Sequence, residues 1–270
     1  MLKFAANLSL LFTEYPLSER FAAARRAGFS RVEVQFPYEL PLETVKQTLK
    51  TQQQQLVLIN IPAGDWQAGE RGLACLPGRE AEFAAGLELA IEWAQALTVP
   101  RINCLAGITP TDASADAIRA TLHHNLRLAD RRCAESDLQL MIEAINTEDI
   151  PGFHLHTSHQ VLALIDRLEL AASRLQYDVY HMQIMEGNLI STLQRNRDKI
   201  GHIQIADVPG RHEPGTGEIH FANLFKALEA IGYSNIISLE YNPLQQTETG
   251  LEWLKPWMTQ ETQHEHECSG

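Results

Sequence analysis

Short apolar runs recur along the chain, separated by longer stretches in which apolar residues return every three or four positions. The runs are LKFAANLS (2–9), RVEVQF (31–36), LVLIN (56–60), RINCLA (101–106), LQLMIEAI (138–145), LQYDVY (175–180), GHIQIAD (201–207) and IISLEY (236–241). Most are nearly unbroken, as strands covered on both faces require. Between them, 17–28 reads as a helix closing on Gly28 at a C-cap-like position. The stretches 80–97 and 114–136 carry apolar residues at helical spacing, and 220–232 also ends in glycine. The repeat is one of element type, with a unit of about 30 residues and no close repetition of sequence.

Eight alternating strand and helix units predict an α/β fold, a (β/α)8 barrel in a single domain. An open doubly wound sheet would favour a glycine-rich phosphate loop after its first strand. Here AANLSLLFTEYP follows, with no glycine. No linker divides the chain, so the barrel is expected over 1–257. The polar tail MTQETQHEHECSG (258–270) is expected to fray. Its HEHEC resembles a metal cluster by composition only.

In a barrel of this kind, chemistry gathers at the carboxyl ends of the strands. Four consecutive runs place a polar residue there: Glu143 in the fifth, Asp178 in the sixth, Gln204 in the seventh and Glu240 in the eighth. Their spacings of 35, 26 and 36 residues are each about one strand–helix unit, which sets them at similar height on adjacent strands. Three acids in one water-poor pocket repel, and each pays for burial or shifts its pKa. A divalent cation relieves that strain. Three carboxylates and one amide oxygen are hard ligands suited to Mg²⁺ or Mn²⁺. Gln204 is thus read as the neutral fourth ligand, and the alternative for each residue is a solvated edge or a salt-bridge partner.

His181, three residues after Asp178, is a candidate for binding a substrate oxygen. Arg211 and His212, in the loop after the seventh run, are candidates for holding a substrate anion. Asn7 ends the first run and is placed on the pocket floor, while Glu33 and Gln35 alternate with Val32 and Val34 in a way that could point them inward. The stretch IPAGDWQAGERGLACLPGRE (61–80) is too long for a simple connector and is read as a lid. Within it Glu70 and Arg71 are candidate substrate contacts, and Arg71 or Arg79 could take a carboxylate bidentately. A surface loop with its own ion pairs is the other reading of that stretch.

Charge and cysteine usage narrow the partners. A formal net charge of -12 disfavours nucleic acid, whose backbone needs clustered Lys and Arg, but leaves room for a small carboxylate substrate held by a few local cations. Cys75, Cys104, Cys133 and Cys268 form no CxxC pair. With no membrane-length apolar run and no recognisable leader, the expectation is a soluble cytoplasmic protein without a membrane partner. A homo-oligomer is left open.

The segments FAANLSLLFTEYP, PAGDWQAGERGLACLPGRE, INCLAG, IEAIN, IPGFHLHT, QYDVYHMQ, HIQIADVPGRHEPGTGEI and EYNP together resemble the hydroxypyruvate isomerase family, within the wider group of xylose-isomerase-like barrels. The resemblance spans nearly the whole chain. It implies interconversion of hydroxypyruvate and 2-hydroxy-3-oxopropanoate (tartronate semialdehyde), with Glu143 and Glu240 as the acid–base pair. It also implies that the metal positions of the wider group fall on Glu143, Asp178, Gln204 and Glu240. The chain departs from the family pattern at Ala144, where Pro is expected, and at Asn242, where Lys is expected. Gln204 stands where the wider group commonly has histidine, and a metal-independent enzyme is the alternative this leaves. A sister family isomerises 2-oxo-tetronates. Rival readings are that activity, a sugar epimerase on the same scaffold, a metal-dependent endonuclease, and a non-catalytic ligand-binding barrel.

Overall fold

The structure, a computed structural model, describes residues 1–258. The metal-like HEHEC and almost all of the expected tail therefore lie outside the described residues. Nine strands form one sheet in which every neighbouring pair is parallel: β1 (Lys3–Asn7), β2 (Arg31–Glu33), β3 (Gln55–Leu56), β4 (Ile59–Asn60), β5 (Arg101–Cys104), β6 (Gln139–Glu143), β7 (Ser173–Asp178), β8 (Ile200–Ile205) and β9 (Ile236–Leu239). Their order is β3-β2-β1-β9-β8-β7-β6-β5-β4.

The two ends of that order are pieces of one stave. β3 pairs with β2, and β4 pairs with β5. Between and after them the Val57 N–H donates to the Val32 carbonyl, Asn60 N–H to Gln35, and Ile61 N–H to Asn103. Segment 55–61 thereby joins both edges and closes a barrel of the eight staves expected from the apolar runs. The strand ladder is shorter than several runs because the chain turns outward at the pocket end. β2 stops at Glu33, after which the Gln35 N–H bonds to the Ser9 hydroxyl instead of a neighbouring strand.

The helices lie outside. The largest are α3 (Glu80–Leu97) and α4 (Ala115–Glu135), where the sequence periodicity placed them. Ser114 caps α4 by accepting from the Ala117 N–H. The sequence reading did not mark α2 (Leu42–Gln52), α5 (Ser158–Leu168), α6 (Val179–Met185) or α7 (Leu189–Asn196). The run at 175–180 is not one strand. The chain instead passes from β7 into α6 at Asp178, whose side chain accepts from the Tyr180 N–H and caps the helix. α1 (Leu17–Arg26) and α8 (Phe221–Ala230) complete the ring.

Side chains alternate across each strand, so one face of the barrel packs on the helices and the other fills the lumen. The outward face carries the main core, with Ile102, Ile142, Leu175, Ile203 and Leu239 buried. The lumen passes from apolar to polar along the strands. A small apolar plug of Ala5, Val57, Leu58, Met141 and Ile236 forms a separate cluster. Two residues further along their strands, on the same face, stand Asn7, Glu143 and Ser238. Cys75, Cys104 and Cys133 are free and buried. Among the described residues no helix is long and apolar enough to cross a membrane.

Candidate active site

The polar residues singled out at the strand ends converge above the apolar plug. Glu143 is the last residue of β6, and its Oε2 accepts from Asn103 Nδ2 at 2.8 Å. Asp178 ends β7, with its Oδ1 taken by the Tyr180 N–H at 2.8 Å. Its Oδ2 is buried with no hydrogen-bond donor. Glu240 follows β9 directly, and its Oε1 accepts from Asn7 Nδ2 at 2.9 Å and Gln35 Nε2 at 2.6 Å. Its Oε2 accepts from Arg211 at 2.8 Å. The same guanidinium lies 3.6 Å from Asp178 Oδ2, and its Nε is buried without an acceptor.

Burial of these acids together dominates their electrostatics. Burial pushes the Glu240 carboxyl up to about 8, with Arg211 opposing and Asp178 and Glu33 reinforcing the shift. Burial, then the charges of Glu240 and Asp178, hold Glu143 well above the usual carboxylate range. Asp178 is raised by burial against the pull of Arg211 and two backbone N–H groups. His181 is held well below its ordinary value by burial and by Arg211, so its ring is neutral. Burial works against the charge of Arg211, but Glu240, Asp178 and Glu143 outweigh it and keep the guanidinium charged.

The three raised carboxyls keep in the fold protons that the unfolded chain releases in the ordinary acid range, so the stability they lend is present below that range and lost as pH rises through the raised values. Glu33, whose carboxyl is lowered chiefly by His202 against burial, has the opposite sign, and its contribution is lost only as pH falls below the ordinary carboxylate range. In chelator, the thermal midpoint should therefore decline between pH about 5 and pH about 9. A pH series of melting curves that stays flat or rises over that window would refute the protonated cluster.

Beneath the acids lies a second polar layer. Glu33 is fully buried, and its Oε2 contacts His202 Nε2 at 2.6 Å. Its Oε1 accepts from Asn7 Nδ2 and from Gln204 Nε2, both at 2.6 Å. Gln204 Oε1 in turn accepts from Gln176 Nε2 at 2.7 Å. The structure thus places Gln204 differently from the ligand expectation. Both ends of its amide are spent within the floor, because the anionic Glu33 takes the nitrogen and Gln176 takes the oxygen. Asn7 lies in the same layer, and its amide nitrogen donates to Glu33 and Glu240. Among described acids, cysteines and histidines, the group whose ligand atoms all lie within 4.8 Å is Glu143, Asp178 and His181. The buried Asp178 Oδ2 without a donor, beside a second acid whose carboxyl burial and neighbouring acids push up, fits a hard divalent cation that would relieve their repulsion.

The loop after β8 delivers Arg211. Asp207 folds it from inside: Oδ1 accepts the N–H groups of Val208 and Ile219, and Oδ2 those of Gly215 and Gly217, all at 2.9–3.0 Å. Gly217 is forced by packing, since a Cβ there would stand 2.0 Å from the Val208 carbonyl oxygen. Arg211 itself holds a left-handed backbone at φ 58°. It is fastened by its own N–H to Asp207 and by its carbonyl to the Asn242 N–H. His212 donates through Nδ1 to the Asn242 carbonyl at 2.7 Å, so it secures the loop.

The lid residues do not join the acids. Glu70 pairs with Arg79 and accepts the Asp65 N–H, which keeps it within its own loop. Arg79 is shared between Glu70 and Glu82, so it is not a carboxylate clamp. Arg71 lies over Trp66, its Cζ 4.1 Å from the ring centroid, and donates to the Trp66 and Glu70 carbonyls. Trp66 packs on Phe36, the neighbour of Gln35. The 61–80 loop is therefore a stacked unit packed on Phe36, and the contacts that Glu70 and Arg71 make lie within it. Sequence reasoning missed Asn103, Gln176, His202 and Asp207. The first three had a readable signal, since each sits two residues before another polar position or ends such an alternation inside an apolar run.

The family model for the xylose isomerase-like TIM barrel matches residues 21–257. The chain belongs to that family. Within it, the hydroxypyruvate isomerase of Escherichia coli (strain K12) is 50% identical over 257 residues, covering 95% of this chain and 100% of that protein. The 2-oxo-tetronate isomerase of Cupriavidus necator is 42% identical over 258 residues, covering 96% and 99%. A crystal structure titled as a family 2 AP endonuclease from Brucella melitensis superposes with a TM-score of 0.92 at 38% identity, covering 95% of this chain and 99% of that one. A D-allulose 3-epimerase from Methylomonas sp., at 21% identity and a TM-score of 0.74, shares the fold.

Proposed function

We propose that the chain interconverts hydroxypyruvate and 2-hydroxy-3-oxopropanoate through an enediolate, with Glu143 and Glu240 as the proton-transfer pair. The observation that carries this reading is the pair itself: two buried glutamates on β6 and next to β9, separated around the lumen by β7 and β8, both held with raised proton affinity. The likeness to isomerases of hydroxypyruvate and of 2-oxo-tetronates supports it over the whole chain length. The net charge of -12 weighs against an endonuclease.

Moving a carbonyl between adjacent carbons requires removing a proton from the carbon that bears the hydroxyl and returning one to its neighbour, while the hydroxyl proton passes to the former carbonyl oxygen. A glutamate with a pKa near neutrality serves both directions, because it is a stronger base when ionised and is still a competent acid. Facing carboxyls let one accept while the other donates. The enediolate oxygens need donors in a dry site. Arg211, with its unpaired Nε, and the neutral ring of His181 stand beside the acids to supply them. Glu143 and Asp178 would hold a divalent cation, which when bound polarises the substrate oxygens. The stacked lid would exclude water from the reactive intermediate.

Proton NMR in D₂O tests the reading, with hydroxypyruvate and 2-oxo-tetronates offered separately, with and without chelator. Deuterium is expected at the carbon that receives the proton, with the three-carbon acid turned over faster. Turnover without deuterium uptake would exclude a solvent-exchanging enediolate. Faster turnover of the four-carbon acid would shift the substrate to the 2-oxo-tetronate class.

A further inference from the structure

We infer that Asn146 is a positioning residue that sets the tautomer of His181, fixing its ring proton on Nε2 and so making His181 a hydrogen-bond donor to a substrate oxygen rather than a metal ligand. Asn146 lies just past β6, three residues after Glu143, and is fully buried. Its orientation is fixed by a peptide group, which leaves no choice of amide end. The Asp149 backbone N–H donates to Asn146 Oδ1 at 2.7 Å, so the oxygen is taken. Asn146 Nδ2 then points outward, donating to Asp149 Oδ2 at 3.0 Å and meeting His181 Nδ1 at 2.7 Å. An amide nitrogen only donates, so Nδ1 must accept. In a neutral imidazole the proton then belongs to Nε2.

The consequence reaches the site. His181 stands with Glu143 and Asp178 in the candidate cation cluster, and the ring atom it turns toward Asp178 is Nε2. Carrying a proton, it has no lone pair to offer a cation. It lies 3.3 Å from Asp178 Oδ2, yet that oxygen receives no hydrogen bond. The N–H is thus held beside the acids without being consumed by them. Asp149 holds Asn146 in place, and the ring of Tyr180, the neighbour of His181, packs against the Arg211 guanidinium at 5.2 Å. The His181 ring is kept neutral by burial and by Arg211, which agrees with a single fixed tautomer.

The test is nitrogen-15 NMR of histidine-labelled protein at neutral pH, with the His181 signal assigned by its loss in His181→Gln. The expected result is a ring protonated at Nε2 and bare at Nδ1, measured without substrate. In Asn146→Asp a carboxylate faces Nδ1, so the proton should move to Nδ1. In Asn146→Ala the tautomers should mix. Turnover should fall about 10²-fold in Asn146→Asp, the usual loss of one oxyanion donor, with KM little changed. The role in turnover rests on the isomerase reading, whereas the tautomer does not. A wild-type ring protonated at Nδ1 would overturn the inference whatever the substrate proves to be. An Asn146→Asp variant with a reversed tautomer and undiminished kcat would overturn the donor role. If Asn146→Asp does not fold, the wild-type tautomer and its mixing in Asn146→Ala decide the matter.

Discussion

Glu240→Gln and Glu143→Gln are each expected to lower kcat by about 10²-fold or more, the range for losing a positioned proton-transfer group. The reasoning begins with what glutamine keeps. At neutral pH both carboxyls hold a proton much of the time, because burial and neighbouring acids raise them. Glutamine nearly reproduces that neutral form in size and polarity. At position 143 its oxygen can still accept from Asn103, and at 240 it can still accept from Asn7 and Gln35. The folded state should survive both changes, with melting temperatures near wild type in chelator. What glutamine lacks is the ability to take up and release a proton. Steady-state rates with hydroxypyruvate, beside thermal melts, check this. Near-normal kcat in either variant would remove that residue from the proton-transfer pair.

Asp207→Ala should be the most damaging change outside the acids. The carboxylate satisfies four backbone N–H groups at once, and the bond from Ile219 is buried. Water can replace some of them, but an unmet buried donor costs about 1–3 kcal/mol, so a total loss on the order of 2–4 kcal/mol is expected. Function should suffer more than stability. Arg211 reaches Glu240 and Asp178 from a left-handed turn that lies between the Val208 and Gly215 N–H groups held by this carboxylate. A displacement of the order of 1 Å in such a group can cost about 10²-fold in rate. kcat/KM should fall by that order at temperatures where the variant is fully folded, and Asp207→Asn, which keeps one accepting oxygen, should fall less. Wild-type kcat/KM in folded Asp207→Ala would show that the loop does not depend on this carboxylate.

Much of this architecture was legible from pattern alone. The eight apolar runs fall on the barrel staves, and Glu143, Asp178 and Glu240 meet because whole strand–helix units separate them, one between the first two and two between the last two. The misplacements have physical causes. Gln204 looked like a ligand because its position on the strand was right. Its amide is claimed by Glu33, a residue 171 positions away that no local spacing could connect to it. Glu70 and Arg71 looked like substrate contacts because charged residues in a long loop invite that reading. They are consumed by Arg79, Trp66 and the loop's own carbonyls. The helix at Val179–Met185 was hidden because β7 runs into it without a turn, and Asp178 serves both elements. Asn146 was invisible because its role lies in a tautomer, which a sequence does not display.

The polar floor beneath the acids has a consequence for anyone hoping to make this protein hardier. A buried Glu–His pair, ringed by amides, is the kind of layer that a well-packed set of aliphatic side chains often outperforms in stability by about 1–4 kcal/mol. Repacking Glu33, His202, Gln204 and Gln176 together as an oily plug would extend the plug already formed by Met141 and Ile236. The same change would remove the supports of Asn7 and Glu240. Heat resistance and turnover are thus set against each other in one layer of the lumen, and robustness without loss of activity has to come from the outer ring of helices.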